Sequence, residues 1–145
     1  MAITSAICNS FKQEILVGTH NLTASSGNTF KIALYTSSAT LNKSTTAYST
    51  SNEISNTSGS AYTAGGATLT SVTPTLDSDT AVCDFSDVSF TSASFTANGA
   101  LIYNDTQSDK AVAVIAFGGD KTVTSGTFTI QFPTADASNA IIRIA

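Results

Sequence analysis

The side chains that most often carry enzymatic chemistry are sparse in this sequence. His20 is its only histidine, so a zinc site would lack the further Cys or His ligands at short spacing that zinc requires. A catalytic triad would need His20 as its base, but no Gly-x-Ser-x-Gly turn accompanies it to expose a nucleophilic serine. We interpret His20 as a loop histidine bonded to backbone, and we predict no catalytic residue and no enzymatic activity.

Four aspartates are the best candidate for an ion-binding cluster: Asp77, Asp79, Asp84 and Asp87. Calcium binds several oxygen ligands, but this spacing does not match an EF-hand loop. Asp77-Ser78-Asp79 more simply indicates a turn, in which the Asp side chain bonds its own backbone. Asp84 and Asp87 flank Phe85, and we expect both to point outward beside an inward aromatic ring. We therefore predict no metal site.

Gly65 and Gly66 raise the question of a phosphate-binding loop. No Gly-Lys-Ser/Thr follows them, and no strand-to-helix transition surrounds them. Two glycines here fit a positive-φ turn into the next strand. No cofactor is predicted.

Composition limits the classes of partner. The chain has 145 residues, enough for one domain; it is 41% hydrophobic and 11% charged, with serine and threonine in place of charged residues. Its net charge is -4 and its six basic residues are scattered singly, whereas nucleic-acid binding needs clustered Lys and Arg. No stretch approaches the run of about 18 apolar residues that spans a membrane. We expect neither nucleic acid nor membrane as a partner.

Residues at the start of the chain predict the compartment. Met1–Thr4 lacks the basic region and apolar core of a signal peptide. We therefore expect a protein made and used without secretion, in which Cys8 and Cys83 stay reduced as two small buried side chains.

One segment has helical periodicity, and we place a helix at about residues 5–17. Its apolar face is formed by Ile7, Phe11, Ile15 and Leu16. Thr4 or Ser5 could cap its start, and Gly18 lies where a helix commonly ends. Lys12 and Glu14 would face water.

The rest of the chain has strand periodicity, with turn residues between the segments. The predicted strands are 30–35, 67–73, 80–85, 88–90, 100–104, 111–118, 126–132 and 140–144. The segment 111–118 is nearly all apolar, which is typical of a central strand buried on both faces. Pro74 would end its strand or mark a sheet edge. The fold class is mainly β: an antiparallel β-sandwich or jelly-roll-like single domain with one N-terminal α-helix.

Residues 36–68 form a long polar connection with little periodicity. Such a length is unusual inside a compact domain, so it either holds short edge strands or is an arm that packs on a neighbour. All four tyrosines fit two roles equally well, an interface or packing inside the sandwich: Tyr35, Tyr48, Tyr62 and Tyr103. The candidate interface residues are Phe11, Tyr48 and Tyr62.

The order of several segments resembles that of small structural proteins of tailed bacteriophages. The resembling blocks are Ser10–His20, Phe30–Thr36, Asn52–Glu53, Tyr62–Gly66, Gly99–Asn104 and Ile141–Ala145. They run along nearly the whole chain and carry no catalytic chemistry.

This resemblance implies a virion component made in the host cytoplasm, of the capsid cement or decoration type. Such proteins are often β-sandwich or jelly-roll domains on the capsid surface that bridge neighbouring subunits. The implied partners are the major capsid protein and the chain itself, as a dimer or trimer. The alternative is a tail or fibre component that binds a host receptor or glycan in a groove lined by Tyr or Asp.

Overall fold

Two antiparallel sheets and one short helix make up the fold of the computed structural model, which describes residues 2–55 and 60–145. In chain order the elements are β1 (Ala6–Ile7), α1 (Asn9–Leu16), β2 (Phe30–Tyr35), β3 (Ala67–Thr68), β4 (Ser71–Asp77), β5 (Thr80–Phe85), β6 (Val88–Asn104), β7 (Lys110–Ile130) and β8 (Ile142–Ile144). The larger sheet has the order β1-β7-β6-β2-β3 and the smaller one β4-β5-β8. Phe30 of the larger sheet meets Phe85 of the smaller one, with ring centroids 5.8 Å apart. The predicted mainly β fold with one N-terminal helix is confirmed.

The helix is shorter at its start than the predicted span 5–17. Ala6 and Ile7 are extended and pair with β7, and the capping position falls on Cys8, which makes no side-chain cap. Ser5 therefore does not cap the helix; its hydroxyl accepts the backbone N–H of Ala116 at 2.8 Å. At the other end Gly18 has φ +77, the left-handed conformation that commonly ends helices.

β6 and β7 form one long hairpin where the sequence predicted four strands. The turn residues predicted between the strands 111–118 and 126–132, Gly118-Gly119-Asp120 and Thr124-Ser125-Gly126, lie inside β7. Gly118 and Ser125 have positive φ there, and the pairing register shifts opposite them. These residues therefore form bulges, which bend a strand without reversing it.

The two predicted strands 30–35 and 80–85 match β2 and β5. The predicted strand 67–73 is split between β3 and β4. Pro74 lies within β4, which is an edge strand, where a proline costs no hydrogen bond to a neighbouring strand. The predicted strand 140–144 shortens to β8.

The core lies beneath the middle of the larger sheet. β7 runs between β1 and β6, and its residues Ala111–Val114 are all buried. Their burial confirms the predicted central strand over that part of the segment. Cys8 and Cys83 are free and buried. No helix in residues 2–55 and 60–145 is both long and apolar enough to cross a membrane.

Candidate interaction surfaces

Glu53 is the centre of the long connection between β2 and β3. Tyr48 Oη donates to Glu53 Oε2 at 2.7 Å, and Tyr62 Oη donates to Glu53 Oε1 at 2.6 Å. The backbone N–H of Gly65 also donates to Oε1, at 2.7 Å. Glu53 is only 9% exposed, so its carboxylate replaces water with three donors of its own chain.

The tyrosines around Glu53 join the connection to the larger sheet. The N–H of Leu34 donates to Tyr62 Oη at 2.9 Å, and Tyr103 Oη donates to the carbonyl of Gly65 at 2.7 Å. Tyr48 stacks on Tyr103 with centroids 4.6 Å apart. Burial, followed by the Glu53 hydrogen bond, raises the pKa of Tyr62 far above its ordinary value. We call Glu53 and its tyrosines Tyr48, Tyr62 and Tyr103 the Glu53 cluster.

The cluster changes the interpretation of residues 36–68. Apart from β3, the described part of the segment pairs through isolated bridges, such as Tyr35 with Glu53 and Ala47 with Lys110. It packs on its own sheet and forms no long edge strand within the described residues. Residues 56–59 of the predicted connection lie outside the described residues.

The three candidate interface residues do not lie together on the surface. Phe11 is 2% exposed and Tyr62 is 1% exposed, so both are core residues of this chain. Tyr48 is half-buried and keeps part of its surface open. Direct contact with a partner is therefore geometrically open to Tyr48 and closed to Tyr62, while Phe11 offers only the small part of its ring that reaches a groove beside α1.

His20 is bonded to side chains, not to backbone as the sequence suggested. Its Nε2 lies 3.2 Å from Glu14 Oε1, and its Nδ1 lies 2.9 Å from Asn104 Nδ2. Asn104 Oδ1 accepts the N–H of Gln107, and Nδ2 also donates to Asn28 Oδ1. The Asn104 amide must therefore donate to Nδ1, which assigns the proton of the neutral ring to Nε2.

Glu14 completes this network and does not face water as predicted. Its Oε2 lies 3.1 Å from Lys110 Nζ, and its side chain is 12% exposed. Burial alone would raise the pKa of Glu14, but hydrogen bonds from His20 and Lys110 outweigh it and hold the pKa below its ordinary value. The network fastens α1 to the turn between β6 and β7.

The Cys8 thiol lies close to this network. Its burial, and to a smaller extent the negative charge of Glu14, raises the pKa of Cys8 to about 11.

Three of the four candidate aspartates accept backbone N–H groups. Asp77 Oδ2 accepts the N–H of Ala137, and Asp87 Oδ1 accepts the N–H of Phe132, both at 2.7 Å. Asp84 was expected to point outward, but it is 1% exposed and accepts the N–H of Phe85 at 2.9 Å. Ser78 has φ +56 between the paired ends of β4 and β5, so the predicted turn is present. No group of three His, Cys, Asp or Glu within the described ranges could hold a metal.

The largest exposed apolar side chains gather at the end of α1 and on the smaller sheet. Leu16 is 85% exposed, Val17 68%, Leu76 75% and Ile144 55%. Leu76 and Ile144 both pair with Ala81, from opposite sides, so all three project from one face of the smaller sheet. Exposed apolar groups of this kind mark contact sites in soluble proteins. Sequence reasoning missed this surface.

A groove of about 340 Å³ separates α1 from β8. The residues that line this α1–β8 groove are Ile7, Phe11, Lys12, Ile15, Leu16, Ile142, Arg143 and Ile144. A second cavity, of about 430 Å³, adjoins it and shares Ile15, Ile142 and Ile144. His20 lies on the wall of that second cavity.

Comparison of the chain with protein-family models, curated proteins and solved structures found no match.

Proposed function

We propose that this chain is a virion structural protein of a tailed bacteriophage, of the capsid cement or decoration type. It would bridge neighbouring major capsid subunits through contact and not through a reaction. The observation that supports this most is the exposure of Leu16, Val17, Leu76 and Ile144 beside an open strand edge. A stable soluble domain gains nothing from such exposure unless a partner covers it.

The hydrogen bonds between the elements of the fold support the same role. Hydrogen bonds of the Glu53 cluster fasten the connection to the larger sheet, and those of the His20 network fasten the helix to it. A bridging protein that is already ordered loses little conformational entropy when it binds.

The surface of the long hairpin is polar but uncharged where hydroxyl groups pair across its strands. These pairs are Ser89 with Thr129 and Thr96 with Thr122.

A second candidate is a receptor- or glycan-binding role on a tail or fibre. A groove of about 480 Å³ between residues 38 and 52 favours it, because serine, threonine and asparagine line much of its wall. Tyr35 also lines this groove but is 1% exposed. The groove thus offers hydroxyls and amides, with little aromatic surface from Tyr35 for a sugar to stack on.

Copy number on the particle distinguishes the two roles. Quantitative mass spectrometry of purified virions should find the chain at a number comparable to that of the major capsid protein, and electron micrographs should show it over the head. A few copies confined to the tail would reject the cement role. As a matched pair, Leu16→Ser with Val17→Ser should abolish incorporation, whereas Ala47→Ser, at an exposed position of the connection away from α1 and the smaller sheet, should not.

A further inference from the structure

β8 offers an unpaired strand edge to the α1–β8 groove. It pairs with β5 on one side and, among the described residues, with no strand on the other. All three of its residues line the groove. Successive side chains of a strand point to opposite faces, so a groove that touches three in a row runs along the edge and not over one face.

The opposite wall of the groove is largely apolar and comes from the start of the chain. Ile7, Phe11, Ile15 and Leu16 line it. A chain segment between the two walls would pair its backbone with β8 and set alternate side chains against these residues. Such strand addition is a common mode of recognition of extended peptides.

The charges of the groove define the partner further. Its two charged residues are Lys12 and Arg143, both exposed and both positive. Within the described ranges neither forms a salt bridge: Lys12 Nζ lies 3.4 Å from Asn9 Oδ1, and Arg143 Nη1 donates to the carbonyl of Ser138 at 2.7 Å. The exposed carboxylate of Asp136 interacts with Arg143 only through its charge. This positive pair is notable on a chain of net charge -4.

The same charges disfavour a second copy paired through β8. Antiparallel pairing of two β8 strands around a two-fold axis would bring Arg143 of each copy close to the other. Like charges directly across a strand pair are destabilising. A segment with carboxylates would instead complement both Lys12 and Arg143.

We propose that the α1–β8 groove binds an extended segment of a neighbouring subunit, in which apolar residues alternate with Asp or Glu, by strand addition to β8. This proposal deepens the bridging role and rests on it for the origin of the segment. The chemistry of recognition rests only on the groove.

Peptide titration of the full-length chain tests the recognition. The probes are a short capped peptide alternating valine and glutamate and its counterpart alternating valine and lysine, followed by NMR shifts of α1 and β8. The acidic peptide should bind about tenfold more tightly than the basic one, as two exposed ion pairs allow, and about 1 M salt should remove most of that preference. Equal binding of both peptides, or no binding of either, would overturn the proposal.

Charge reversal supplies the matched control. Lys12→Glu with Arg143→Glu should reverse the preference between the peptides, whereas Lys43→Glu with Lys121→Glu, equal in charge change and placed at exposed lysines outside the groove, should leave it unchanged. Because Arg143 also bonds the chain's own carbonyls, Lys12→Glu alone is a second variant, and it should weaken the acidic peptide about threefold. An unchanged preference in both groove variants would reject the charge argument.

The source of the segment is tested on assembled particles. A photo-crosslinking residue at position 16 should capture an acidic, alternating segment of another virion protein. Capture of a second copy at this position, with a concentration-dependent dimer in solution, would overturn the proposed occupant. If the chain is missing from virions but still prefers the acidic peptide, the bridging role fails and the groove chemistry stands.

Discussion

The Glu53 cluster and the α1–β8 groove differ in whether their charged groups find partners within the chain. At the cluster each carboxylate oxygen of Glu53 receives a donor from the same chain. At the groove neither Lys12 nor Arg143 forms a salt bridge among the described residues, and both lie beside exposed Leu16 and Ile144. The hydrogen bonds of the Glu53 cluster are satisfied by the chain itself, whereas the charged and apolar groups of the groove are not fully covered by it. The cluster therefore stabilises the fold, and the groove is open to a partner.

Among changes to the connection, Gly66→Ala should give the largest loss of stability, because the added Cβ would push the connection away from β2. Gly66 has φ +81, and an added Cβ would collide with the backbone carbonyl of Ile32. We expect the free energy of unfolding to fall by at least about 3 kcal/mol in urea titrations. Gly118→Ala is the control, since Gly118 has φ +76 with nothing within 4 Å of the added Cβ; it should cost only about 1 kcal/mol. Equal losses would mean that Gly66 is not wedged against β2.

Glu53→Ala should come next, because it leaves the hydroxyls of buried Tyr62 and half-buried Tyr48, together with the Gly65 N–H, without their acceptor. A loss of about 3 kcal/mol is expected from unsatisfied buried donors. Glu53→Gln keeps one acceptor oxygen and should lose about half as much. The same urea titrations measure both, and a Glu53→Ala loss below about 1 kcal/mol would show that water replaces the carboxylate.

The His20 network should make stability depend on acid. A lowered pKa of Glu14 means that its carboxylate contributes stability above the ordinary glutamate pKa, and that this contribution is lost as the pH falls through the lowered value. Glu14→Gln should therefore lose less stability than the natural chain between about pH 5 and pH 3. Gln13→Ala, at an exposed position of the same helix that carries no ionisable group, should follow the natural chain. Parallel profiles for all three would contradict a paired Glu14.

The position of a strand could be predicted from the sequence, whereas contacts set by register could not. β2 and β5 follow the predicted segments because each is a short apolar run bounded by turn residues, although consecutive residues are buried along most of both strands and no inward–outward alternation is seen. The bulges of β7 were taken for turns, since Gly118 and Ser125 have the same local signature in both. The Glu53 cluster joins residues far apart in the chain, and only the pairing of β2 with β6 brings Tyr103 beneath the connection.

The missed surface did leave a signal in the sequence. Ile7, Phe11 and Ile15 keep a spacing of four, and the predicted apolar face also included Leu16. That placement of Leu16 is wrong: a helix this short has one narrow face for the core, and Leu16, like Val17 after it, turns toward solvent. The tyrosines attracted the interface prediction because their type is common at interfaces, but type alone does not decide which side of the sheet a residue lies on.

Leu16→Ser should have the smallest effect on stability, within about 0.5 kcal/mol, because Leu16 is 85% exposed. Phe11→Ala, five positions earlier on the same helix and 2% exposed, should cost about 3–5 kcal/mol. Thermal melts and urea titrations of the two variants give the comparison. Leu16→Ser should nevertheless weaken the acidic peptide, since it removes an apolar contact from the groove wall. If Leu16→Ser weakens binding and leaves the fold intact, Leu16 is a contact residue for the partner. A large loss of stability from Leu16→Ser would instead place Leu16 in the core.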